Sequence, residues 1–150
     1  MTPCQIQTGP SESCSSVELV QIPPGGIDLC SDLLRKLIEP AIARTRKTDT
    51  AAVLGMAKEG RVQVWVLWES NQKEPLGVVV TELVDYASRR VGRVILGAGR
   101  LVNLVDDVAG KLEAWARAEG CAALEAVGRR GWGRVRRDYE LIESTFSKEL

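Results

Sequence analysis

A chain of 150 residues, 45% hydrophobic and 27% charged, is the size of one folded domain and too apolar to be disordered over most of its length. Its 20 basic and 20 acidic side chains cancel, which excludes the overall basic field of a general nucleic-acid or membrane-surface binder. It has no histidine, so any catalysis falls to carboxylates, cysteine, tyrosine, backbone groups or water.

Residues 1–16 (MTPCQIQTGPSESCSS) are rich in Ser, Thr, Pro and Gly and read as a flexible tail ahead of a domain over 17–150. Val17–Ile22 (VELVQI) reads as a short strand, stopped by Pro23-Pro24-Gly25-Gly26. Asp28 or Ser31 can cap a helix carrying Leu29, Leu33, Leu34, Leu37 and Ile38, which Pro40 ends or kinks. A second short helix is expected from about Thr50 to Lys58, capped by Thr48 or Asp49 and closed by Gly60.

Three strands follow, at Arg61–Glu69, Leu76–Asp85 and Arg90–Ala98. In the first, Val62, Val64, Val66 and Trp68 share one face while Gln63, Trp65 and Leu67 share the other. Apolar side chains on both faces require a sheet covered on both sides. Leu101–Glu119 is the strongest helix, with Leu101, Leu104, Val105, Val108, Leu112, Trp115 and Ala116 at helical spacing and Gly120 after it. Cys121–Val127 reads as a strand of mostly small residues. A Gly/Arg-rich segment then opens a short helix near Trp132, and a last strand runs from about Glu140 to Lys148.

None of the cysteines (Cys4, Cys14, Cys30 and Cys121) forms a C-x-x-C pair, so no metal site is expected. Free thiols in a reducing compartment are the default, since no apolar signal segment opens the sequence. A Cys121 nucleophile has no histidine to activate it; the residue reads as a small inert hydrophobe. No apolar run is long enough to span a bilayer, so no membrane partner is expected.

The order strand, two helices, three strands, long helix, strand, short helix, strand is an α/β layout. It resembles that of the GNAT acyl-CoA N-acyltransferase superfamily: a central mixed, mostly antiparallel sheet with helices on both faces. EGRVQVWVLWESNQKEPLGVVVTELVDY resembles the second and third GNAT strands. DDVAGKLEAWARAEGCAALEAVGRRGWGRVRRDYELIESTFSKEL resembles the C-terminal half of phage-encoded GNAT-like proteins, in which a Gly-Arg-x-Gly-Trp turn follows the fifth strand. The resemblance covers roughly residues 17–150 and implies a location in host cytoplasm or virion.

In active members of that family the acetyl-CoA pyrophosphate rests on a Gln/Arg-x-x-Gly-x-Gly/Ala loop at the start of the long helix. There backbone N–H groups and the helix dipole meet the anion. Matched onto this chain, Arg100 takes the Gln/Arg position, while Asn103 and Val105 take the glycine positions. Asp106 and Asp107 follow and would repel a pyrophosphate. The family also holds the pantetheine arm in a V-shaped gap between the strands expected at Arg90–Ala98 and Cys121–Val127. Its thiolate-protonating tyrosine position falls on Arg136, with Tyr139 nearby as an acid or a packing residue. Glu82 and Asp85, near the end of a central strand, are the best general-base candidates, or else simple strand-end charges.

Arg129, Arg130, Arg134, Arg136 and Arg137 surround Trp132 in a basic patch. Such a patch suits a solvated helix face, a protein interface or a phosphate ligand. Two functions stay open. One is a catalytically degenerate phage GNAT-fold protein that needs no cofactor and acts on other phage or virion proteins, or on itself as a homo-oligomer. The other is an acetyl-CoA-dependent N-acetyltransferase with a divergent loop. A nucleic-acid role is disfavoured.

Overall fold

A computed structural model describes residues 17–43, 45, 47–99, 105–127, 138–140 and 147–150. The expected tail over 1–16, the short helix near Trp132 and most of the last strand lie outside them. One five-stranded sheet has the order β1-β2-β3-β4-β5, with β1 Val17–Ile22, β2 Gln63–Glu69, β3 Gly77–Asp85, β4 Arg90–Gly99 and β5 Ala123–Ala126. The first four strands are antiparallel neighbours, and β5 joins β4 in parallel. That parallel step needs a crossover, supplied by helix α3, Val105–Ala118.

Side-chain alternation in β2 splits the core into two layers. Val64, Val66, Val78 and Val80 face one side, against α1 (Ser31–Ile42) and α2 (Thr50–Lys58). Leu34, Ile38 and Ala41 form the buried stripe of α1 at the i, i+4, i+7 spacing of a helix face. Trp65, Leu67 and Val79 face the other side, against Val108 and Leu112 of α3. Each buried Val, Leu or Ile contributes roughly 1.5–3 kcal/mol of transfer free energy, so both layers are needed to hold a sheet of mostly short strands.

The helix ends follow local chemistry. Asp49 caps α2 by accepting a 2.8 Å hydrogen bond from the Ala52 N–H. Pro40 does not end α1, which runs on to Ile42. Its missing N–H falls in the last turn, where the loss is confined to one intrahelical bond.

Two polar details fix register under α3. The Trp65 indole donates to Thr81 Oγ1 at 2.9 Å, and that hydroxyl donates to Gln63 Oε1 at 3.0 Å. Thr81 is fully buried, so the relay satisfies a group that would otherwise oppose burial. Trp65 and Trp115 meet edge to face, with centroids 5.5 Å apart. No described helix is long and apolar enough to cross a membrane.

Candidate functional site

The sheet is irregular at one place, and the candidate site is built around it. Across β3 and β4, Val80 pairs with Leu96 but Thr81 pairs with Val94, so Ile95 is an extra residue: a β-bulge. On the other side of β4, the parallel pairing with β5 runs from Val91↔Ala123 to Val94↔Ala126 and closes on a 3.0 Å bond from the Val127 N–H to the Val94 carbonyl. Beyond Val94, β4 continues to Gly99 with no described residue on its β5 side. Among the described residues the pairing with β5 therefore stops where the bulge starts. The strand then leads toward the N-terminus of α3, whose first turn carries the exposed Asp106 and Asp107.

Beside the bulge lies a row of charge. Register places Glu82 of β3 opposite Arg93 of β4, and Arg93 opposite Glu125 of β5. The Arg93 guanidinium reaches Glu125 at 3.3 Å and Glu82 at 3.7 Å, and donates to the Tyr86 hydroxyl at 2.7 Å. Burial works against the charge of Arg93, but its bond to Glu125, with Tyr86 and Glu82 close by, offsets this and lifts it above the ordinary arginine value. The three side chains retain only 26%, 31% and 19% exposure for Arg93, Glu82 and Glu125, so this ion triplet is less screened than a surface pair.

Arg93→Ala leaves two half-buried carboxylates flanking a vacated position. The expected loss is about 1–2 kcal/mol at neutral pH. Urea unfolding of both proteins at neutral pH checks the loss.

Asp85 is spent differently. It closes the β3–β4 turn against Arg90, with Nε to Oδ1 at 2.7 Å and the second contact at 3.3 Å, while Arg90 also donates to the Glu119 carbonyl at 3.2 Å. The hydrogen bond from Arg90 holds the exposed Asp85 carboxyl below its usual range, the wrong direction for a base that must accept a proton near neutrality. Tyr139 donates its phenol to Glu113 of α3 at 2.7 Å. Glu113 and Cys121 both line a shallow cavity of about 100 Å³ between α3 and β5. Burial pushes the Cys121 thiol up, which keeps it protonated and unreactive at neutral pH.

Thus Glu82 and Asp85 lie on one strand but are held by different arginines, and Tyr139 is engaged by a third partner. Arg100, Asn103 and the arginine patch of Arg129, Arg130, Arg134, Arg136 and Arg137, with Trp132 inside it, lie outside the described residues, as does the side chain of Val105; its backbone opens α3. Among the described residues no cluster of His, Cys, Asp and Glu could hold a metal ion. Arg93, Glu125 and Tyr86 were not legible as site residues from composition. The signal for Arg93 was available all the same: once Asp85 and Arg90 close the turn, counting back along the hairpin sets Glu82 against Arg93.

No family model matches this sequence, and no curated protein matches it. Solved structures do match in shape. An aminoglycoside acetyltransferase, meta-AAC0020, from an uncultured soil metagenomic sample superposes at TM-score 0.63 with 10% identity, over 89% of this chain and 96% of that one. A GNAT family acetyltransferase from Staphylococcus aureus superposes at 0.60 with 12% identity, over 90% and 99%. Aminoglycoside N-acetyltransferase AAC(6')-Iy, solved in complex with CoA, superposes at 0.57 with 11% identity, over 90% and 95%. At such identities the likeness is one of architecture, and it spans nearly the whole of each chain: this protein has the GNAT acyltransferase fold.

Proposed function

We propose that this GNAT-fold protein is catalytically degenerate and works by holding other proteins. The observation that carries this reading is the engagement of every described catalytic candidate. Glu82 is paired with Arg93, Asp85 with Arg90, and Tyr139 with Glu113. Two carboxylates, Asp106 and Asp107, occupy the first turn of α3, where the family's pyrophosphate would need an electropositive helix end. The matched loop positions Asn103 and Val105 lack the glycines that let a phosphate approach backbone N–H groups. The resemblance to phage-encoded GNAT-like proteins supports phage or virion proteins as the partners, with the arginine-rich patch around Trp132 as a contact surface.

One observation favours a second reading, an acetyl-CoA-dependent N-acetyltransferase with a divergent loop. The bulge at Ile95, with no described residue paired to β4 on the β5 side beyond Val94, is consistent with the gap in which the family holds the pantetheine arm. Thermal unfolding separates the two. A ligand at 100 times its Kd stabilises by about 2.7 kcal/mol, which moves the midpoint by several degrees in a domain of this size. Millimolar acetyl-CoA is expected to leave the midpoint unchanged; a rise that saturates with acetyl-CoA overturns the degenerate reading.

A further inference from the structure

The outer edge of β1 pairs with no described strand. Its orientation follows from two bonds. The Leu76 N–H donates to the Leu67 carbonyl, so Leu67 turns its backbone groups toward β3. Its neighbours Val66 and Trp68 therefore turn theirs toward β1. Val66 stands opposite Val20, and Trp68 opposite Glu18. Glu18, Val20 and Ile22 thus pair inward with β2, whereas Val17, Leu19 and Gln21 present N–H and C=O groups to the open edge. The Lys111 ammonium of α3 confirms that direction by donating to the Val17 carbonyl.

Among the described residues that edge is closed at both ends and open in the middle. Val17 gives its carbonyl to Lys111. At the other end Pro23 has no N–H, and its carbonyl accepts from the Gly26 N–H at 2.8 Å. Leu19 and Gln21 remain. Among the described residues β1 pairs only with β2; within Val17–Ile22 Glu18 is the one charged residue, and no Pro or bulge interrupts the strand.

We propose that two copies join antiparallel through β1 about a twofold axis at Val20, continuing one sheet across the dimer. In this register each Leu19 exchanges both backbone hydrogen bonds with Gln21 of the other copy. The two Val20 residues, 40% exposed in the single chain, meet as a non-hydrogen-bonded pair, where side chains approach most closely. Glu18 falls opposite Ile22, so no like charges face each other. A register centred on Leu19 fails, because it needs the Val17 carbonyl that Lys111 already occupies. This interface is independent of the acetyl-CoA question, since β2 and β3 separate β1 from the bulged strand.

Gln21→Pro removes an edge-facing N–H while sparing the bonds to β2, a position where an edge strand tolerates proline. Sedimentation equilibrium from about 1 µM to 1 mM is expected to show a reversible dimer that Gln21→Pro weakens about 10-fold or more. Gln21→Ala, which keeps the N–H, should leave it intact. If Gln21→Pro does not fold, V20C decides: mild oxidation is expected to yield a dimer whose linked peptide joins position 20 to position 20. A wild-type chain that stays monomeric throughout, a folded Gln21→Pro protein with unchanged dimerisation, or V20C without that link overturns the proposal.

Discussion

Gly99→Ala is expected to destabilise the fold by about 3 kcal/mol or more. Gly99 ends β4 at φ +108°, a backbone conformation that side chains with a Cβ rarely adopt. A Cβ placed there would stand 2.2 Å from the Leu76 carbonyl oxygen and 2.5 Å from the Gly77 Cα. Both neighbours are backbone of the adjoining strand, so nothing flexible can move aside. Relief would require pulling the end of β4 away from the start of β3, which unzips the Gly77↔Gly99 and Val78↔Ala98 pairs. The measurement is a urea melt; an effect below about 1 kcal/mol, within the range of ordinary surface changes and small strains, would show that the β3–β4 end is looser than described.

Ile38→Ala carries an expected cost of about 2–5 kcal/mol. Ile38 is fully buried on α1 and packs in the layer formed by Leu34, Val53, Val78 and Val80. Its neighbours sit on a sheet whose register is pinned from the other face by the Trp65–Thr81–Gln63 relay, so the vacated volume cannot collapse cheaply. For a domain of this size the midpoint falls by roughly 10 °C. Leu29→Ala serves as the contrast: Leu29 is 89% exposed, and its removal should leave stability unchanged within about 0.5 kcal/mol. Helical periodicity alone had placed Leu29 and Ile38 together on the apolar side. Leu29 instead falls in a 3-10 turn before α1 begins, where the face rotates away from the sheet.

Other elements were legible because local rules and packing agree there. The span of β1 and that of α2 match expectation, since breakers and a cap mark both their ends. The alternation in β2 foretold two core layers, and the two-sided apolar pattern foretold the cover of helices. What the sequence hid was relational. A bulge at Ile95 depends on how β3 and β4 settle against each other, and no residue type announces it. The partners of the carboxylates were hidden for the same reason: Glu82 and Asp85 are three residues apart, yet each meets a different arginine because the hairpin register hands Arg93 to one and Arg90 to the other. Gly92 shows the same limit. It lets α3 lie close over β4, where a Cβ would come within 3.3 Å of Trp115 and Leu124, a contact visible only after the crossover is in place.

The likeness of architecture to acetyltransferases and the engagement of the described catalytic candidates pull in opposite directions, because function resides in the site rather than the fold. A bulged strand does not make an acyl-CoA cleft without an anion-binding helix end. Isothermal titration of the full chain with acetyl-CoA tests that balance most directly. A catalytically degenerate chain gives no binding heat at millimolar ligand; saturable binding with a micromolar Kd would contradict that reading.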